Sequence, residues 1–132
     1  HPAPSIMAGV AFAIANCVDA VQAMAREKDA QVTVFRTGRS GGGQLPVWRQ
    51  IITDALDRAL EVVDVEEPGC LGAALLAGVG TGIYQDLPSA IQQVVQVTDR
   101  STPDPANAAR YRDRRAVFND TFRALETRLY QG

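Results

Sequence analysis

Apolar side chains recur at Met7, Val10, Ile14, Cys17, Val18, Val21 and Met24, in steps of three and four, with Asn16, Asp19, Gln22 and Arg26 between them. That spacing predicts an amphipathic helix of about five turns, with Ser5 as its N-cap. The pattern then changes. Val32, Val34 and Phe35 are β-branched or aromatic and sit in a run too short for a helix, so residues 31–36 read as a strand. Trp48, Ile51, Ile52, Ala55 and Leu56 return to helical spacing behind Pro46, which suits a first helical position. After a break near Asp57 and Arg58, Leu60, Val62, Val63 and Val65 give a second strand over residues 59–65. Strand, loop, helix and strand in this order predict a βαβ unit with parallel strands and a right-handed crossover.

Pro68-Gly69 marks a turn, and residues 70–79 read as a short helix rich in small side chains. Gly72, Ala73, Ala74, Ala77 and Gly78 would let it lie close against a neighbour. Gly80-Thr81-Gly82 ends it. A further helix is predicted over 86–97 and a stiff loop over Thr102-Pro103-Asp104-Pro105. A last helix over 106–130 would bury Tyr111, Phe118, Phe122, Leu125 and Leu129. Five helices against two strands leave a parallel sheet too small to stand alone, because parallel strands are normally buried on both faces and extended by neighbours. Either further strands come from sequence outside this chain or a partner covers the edges, which leaves room for self-association as a homodimer.

Composition narrows the field. Thirteen basic against fifteen acidic residues give a net charge of −2, so no basic footprint points to nucleic acid or an anionic membrane. The length of 132 residues and 46% apolar share fit one globular domain, 1–132. No apolar run reaches the ~18 to 20 residues needed to span a bilayer. The two cysteines, Cys17 and Cys70, make no disulfide framework and suggest a reducing, cytoplasmic setting. Only His1 and Lys28 represent their residue types, which removes most His/Cys metal sites, an internal His-based triad and a Walker-type lysine. A start at His1, without Met or a signal sequence, reads as an excised or processed piece.

The strongest local signal is Thr37-Gly38-Arg39-Ser40-Gly41-Gly42-Gly43, between the predicted strand and helix. Glycines there let backbone approach a ligand where a Cβ would collide, and the following helix presents free N–H groups at its positive end. The plainer reading is a tight turn that needs positive φ, for which one glycine suffices. A dinucleotide fingerprint is a further alternative: Gly41-x-Gly43 with Asp64 about 20 positions on, although Pro46 stands where Gly or Ala belongs. Asp54, Asp64, Glu66 and Glu67 each fit a solvated helix face, a cap or a turn, and none forms an assignable catalytic pair. Arg110, Arg112, Arg114 and Arg115 read as a solvated helix face. Cys70, at a helix start, reads as a small structural residue.

Three motifs in order carry a resemblance: Ser40-Gly41-Gly42-Gly43, then Trp48-Arg49-Gln50-Ile51-Ile52-x-Asp54, then Pro68-Gly69-x-Leu71-Gly72-Ala73-Ala74-x-x-Ala77-Gly78. Together with Met7-Ala8-Gly9-Val10-Ala11-Phe12 and the closing Tyr111 helix, the chain resembles the C-terminal domain of the FGGY carbohydrate kinases, nearest the xylulokinase-like branch. The resemblance implies an α/β fold: the C-terminal part of an actin-like (ribonuclease H-like) ATPase domain, helix-rich, with a βαβ unit and a short parallel sheet whose first strands lie upstream. It also implies an ATP-dependent kinase, using ATP with Mg2+, that phosphorylates a sugar such as xylulose. By position, Gly41, Gly42 and Gly43 would face the nucleotide, with Gln44 and Pro46 beside the base. Gln44-Leu45 stands where the family often has Lys or Arg followed by Ser, and Ala8 replaces a usual Glu. No catalytic or metal-binding residue is assigned, since the family's general base and most of its sugar pocket belong upstream; the chain alone is expected to be inactive. A protein-interaction module without catalysis is the alternative from a different class.

Overall fold

The computed structural model describes the backbone of residues 2–129 and the side chains of residues 5–126. In chain order it contains α1 (Pro2–Arg26), β1 (Phe35–Thr37), a 3-10 turn (Gly41–Gln44), α2 (Pro46–Leu56), β2 (Leu60–Val63), α3 (Pro68–Gly80), α4 (Leu87–Val94), β3 (Val97–Ser101) and α5 (Pro105–Leu129). Ser5 is therefore inside α1 rather than its N-cap. Leu129 falls outside the described side chains, and Tyr130 outside the described backbone.

The βαβ unit is present: β1 runs parallel to β2, with Phe35 opposite Leu60, Arg36 opposite Glu61 and Thr37 opposite Val62. The sheet, however, is mixed and three-stranded, in the order β1-β2-β3, because β3 lies antiparallel on the far side of β2. This corrects the two-strand, purely parallel reading. The third strand was hidden because Val97-Thr98-Asp99-Arg100-Ser101 is almost entirely exposed and carries no apolar alternation. Its pairing specifies it instead, including Glu61 opposite Arg100 and a register shift beside Thr98, whose hydroxyl donates to the Val62 carbonyl at 3.3 Å. The predicted helix over 86–97 is accordingly shorter. It starts at Asp86, whose carboxylate accepts the Ser89 N–H at 2.8 Å, and it gives way to extended backbone at Val95. That amide bond also holds the Asp86 carboxyl below the ordinary carboxylate range.

The core lies between α1, α2 and α5 and continues onto β2. Ala8, Ala11, Phe12 and Ala15 form the buried stripe of α1, so small side chains bring its backbone close to α2. Phe12 meets Tyr111 edge-on and Phe118 at a tilt, each with ring centroids 5.7 Å apart, and so fastens α5 to α1. Leu60, Val62 and Val63 are buried, and Thr53 is fully so, its hydroxyl donating to the Arg49 carbonyl at 2.7 Å.

Two burial expectations fail. Phe122 and Leu125 are more than half exposed, since α5 outruns the elements it packs on. The larger apolar residues of α1, Val10, Val21 and Met24, also face outward, because the alanine face, not the bulky one, is turned to α2. With Ile14, Cys17, Val18, Val32 and Phe35, Val10 and Val21 border an apolar groove of about 480 Å³ on one side of β1. On the other side, Arg36, Val63, Leu75 and Ile91 border a second groove of about 210 Å³. By length and composition, Ser5–Arg26 at a mean hydropathy of 1.6 is also apolar enough to cross a bilayer. No uninterrupted apolar run marks it, because Asn16, Asp19 and Gln22 break the run without bringing the average down far.

Candidate functional site

The glycine loop leaves β1 with its backbone tied to the segment just beyond β2: the Arg39 N–H donates to the Val65 carbonyl at 2.8 Å. Gly38 is buried there, and a Cβ on it would lie 2.6 Å from both Val65 O and Pro68 Cγ. Residues 41–44 then wind into the 3-10 turn, closed by Gly43 N–H to Ser40 O at 3.2 Å and Leu45 N–H to Gly42 O at 3.0 Å. Pro46 opens α2 in the position expected of it.

The three consecutive glycines have different surroundings. Gly41 has φ +57° and nothing within 4 Å of where its Cβ would be. A Cβ on Gly42 would collide with Cδ1 of Trp48, and one on Gly43 with the Gly38 carbonyl oxygen. Packing within the chain thus accounts for the last two, whereas Gly41 needs glycine for its left-handed backbone and points into open space. Gln44 and Pro46 are both exposed. Gly43 and Gln44, with Arg39, Arg49, Glu66 and Asp99, border a cavity of about 350 Å³ against β2 and β3. Gly41, Gly42 and Pro46 do not border it. Trp48 is half-buried rather than enclosed, with Gly42 packed on its indole edge.

Several residues that carried no role in the sequence organise this corner. The Arg49 side chain is 13% exposed; its Nη1 donates to the Gly43 carbonyl at 3.0 Å and its Nη2 to the Asp99 carboxylate at 2.6 Å. Asp54 is buried, not on a solvated face: it accepts the Gln50 side-chain amide at 2.8 Å, the Asp104 N–H at 2.8 Å and the Asn107 amide at 3.3 Å. Gln50 also donates to the Thr102 carbonyl at 2.9 Å. These bonds dock α2 on the segment between β3 and α5, and a sequence in which that segment looks like plain loop gives no sign of them. Asp64 is exposed and pairs with Arg39. Of the arginine cluster, Arg112 pairs at the surface with Asp57, while Arg115 is drawn between α5 and α1 by Asn16 and Asp19. Both cysteines are exposed. Among the described residues no three His, Cys, Asp or Glu side chains gather to hold a metal ion.

Comparison with known proteins gives this corner its context. The autoinducer-2 kinase of Escherichia coli K12 is 33% identical over 84 residues, covering 61% of this chain and 16% of that protein. The probable L-xylulose kinase of Pasteurella multocida is 30% identical over 129 residues, 98% of this chain and 25% of its own length. Among solved structures, the xylulose kinase of Rhodospirillum rubrum superposes with a TM-score of 0.65 at 28% identity, over 95% of this chain and 24% of that one. The chain therefore spans about a quarter or less of the relatives it matches, and it shares the actin-like fold of their C-terminal part. Residues 1–81, which include the whole glycine turn and α2, match the C-terminal domain of the FGGY family of carbohydrate kinases, and the chain belongs to that family.

Proposed function

We propose that this chain is the nucleotide-facing part of an ATP-dependent sugar kinase that transfers the γ-phosphoryl of ATP to a hydroxyl of a sugar such as xylulose. The supporting observation is Gly41: a left-handed residue with open space at its Cβ position, at the head of a turn that leads into α2. A purine or ribose could lie against such backbone, and the N-terminal end of α2 would favour nearby negative charge. Gly43, Gln44 and Pro46 remain in this reading as neighbours of the nucleotide. Gly42 contributes through Trp48, by fixing the turn.

In the transfer, the sugar oxygen forms a bond to the γ-phosphorus while the bond from that phosphorus to the ADP oxygen breaks. Most of the acceleration in such reactions comes from positioning and charge. This chain's share is to bind and orient ATP; the base that takes the hydroxyl proton and most of the sugar contacts belong to the longer protein. The exposed edge of β1, with an apolar groove on each side, is where further strands would complete the sheet. In the same reading α1 is a packed helix of a soluble, cytoplasmic enzyme, not a membrane span.

The test uses the full-length kinase. Gly41→Val should raise the KM for ATP about tenfold, equivalent to ~1.4 kcal/mol of binding, and leave the sugar KM unchanged. Gly41 is preferred to Gly42, where the added side chain would strike Trp48 first. Gly41→Ala, which meets the left-handed backbone without the bulk of valine, is the control: its ATP KM should rise less than that of Gly41→Val. The isolated chain should bind ATP at ~1 mM or more weakly. An unchanged ATP KM in the variant, or micromolar affinity in the isolated chain, would overturn the assignment.

A further inference from the structure

We propose that Arg49 is a positioning residue for the nucleotide turn, and that it works by clamping the turn to β3 through Asp99. The proposal rests on the reading of the turn as nucleotide-facing and adds what holds it in place. Arg49 sits in the first turns of α2, and its guanidinium lies across the gap between the turn and β3. One terminal nitrogen holds the carbonyl of Gly43, inside the turn; the other holds the carboxylate of Asp99, in the middle of β3. Its Nε is buried without a partner. Enclosing a guanidinium carries a desolvation cost, so such a group persists where its planar fork bridges two fixed acceptors at once.

The turn is gripped from both sides. Gly43 lies so near the Gly38 carbonyl that a Cβ on it would collide with that oxygen, and the Gly43 carbonyl is taken by Arg49. Remove the guanidinium and only the first of these holds remains, with a carbonyl and a carboxylate left facing the cavity. The docking of α2 itself does not depend on Arg49, since Gln50 and Asp54 bind the segment from Thr102 to Asn107 independently. Loss of Arg49 should therefore loosen the turn without undocking the helix. Asp99 lies beyond residue 81, where the family match ends, so a strand outside that match steadies the turn inside it.

Arg49→Met, Arg49→Lys and Asp99→Asn in the full-length kinase test this, with Gly41→Val as reference. Two readouts are needed: amide hydrogen exchange of peptides covering residues 40–45 and 50–56, and the separate KM and kcat for ATP at saturating sugar. In Arg49→Met, exchange over 40–45 should rise about tenfold with 50–56 unchanged, while the ATP KM rises about five- to tenfold and kcat stays within about twofold. Lysine, lacking the fork, should restore little of this, and Asp99→Asn should show the same pattern more weakly. Unchanged exchange over 40–45 in Arg49→Met overturns the clamp. Raised exchange with a normal ATP KM also overturns it if Gly41→Val does raise that KM; if neither variant raises it, the nucleotide reading of the turn falls as well. Should Arg49→Met fail to fold, Asp99→Asn, which keeps size and shape, is measured in the same two ways, and unchanged exchange over 40–45 in that variant overturns the clamp equally.

Discussion

Four glycines fall between positions 38 and 43, inside the βαβ unit, and four more between 69 and 80, just after it. Around the first set the chain is crowded: Cβ atoms on Gly38, Gly42 and Gly43 would meet Val65, Trp48 and the Gly38 carbonyl. Around the second it is open: Gly69, Gly72 and Gly80 have nothing within 4 Å of that position, and only Gly78 is pressed, by the Tyr84 ring at 2.7 Å. Nor do Ala73, Ala74 and Ala77 find the close neighbour their size led us to expect, for all three are exposed. Composition alone makes the segments look alike. What differs is how far the atoms that demand a small residue lie within this chain: the loop at 38–43 supplies them for three of its four glycines, the second segment for Gly78 alone.

Substitution to alanine turns that difference into a graded series. The largest loss should come at Gly43→Ala, where the obstacle is backbone and cannot swing aside: about 3 kcal/mol, read from the urea midpoint. An unshifted midpoint would mean that the turn has slack and that the contrast is wrong. Gly42→Ala should cost less, about 1–2 kcal/mol, because the half-buried indole of Trp48 can rotate; a shift in its fluorescence should accompany the loss. At Gly41→Ala only the backbone resists, its φ of +57° being unfavourable to a Cβ, so about 1 kcal/mol is expected with the Trp48 emission unchanged. Smallest, and opposite in sign, is Gly72→Ala in the open stretch of α3, which should gain about 0.5–1 kcal/mol from helix propensity. A loss there in the full-length protein would sharpen the comparison differently, by showing that a neighbour from outside this chain packs on α3.

How far the sequence could be read depends on which forces leave a local trace. The order of the βαβ unit was legible because Phe35, Pro46 and Leu60–Val63 carry a pattern tied to their own backbone, but the first strand was placed too early: it spans Phe35–Thr37, and Val32–Val34 lie outside it. Thr37–Gly43 was legible as a turn for the same reason, though not the division of labour among its glycines, which is decided by Trp48 and by Gly38 across the loop. β3 left no trace because it is held by its neighbour rather than by its own side chains. The ties made by Arg49, Asp54 and Asp99 left no trace for a related reason: the partners that join α2 to β3 and to the segment after it are 50 or more positions away. The outward face of α1 was legible as apolar, but its direction was not, since the choice between its alanine and valine stripes is made by α2.

The unpaired margin of β1, bounded above and below by greasy furrows, has a practical consequence for anyone producing this segment separately. Its N–H and C=O groups will seek another strand at the first opportunity, and identical copies are the nearest source. Light scattering that climbs with protein concentration, and subsides once a polypeptide carrying the neighbouring strands is supplied in trans, is the behaviour this margin dictates.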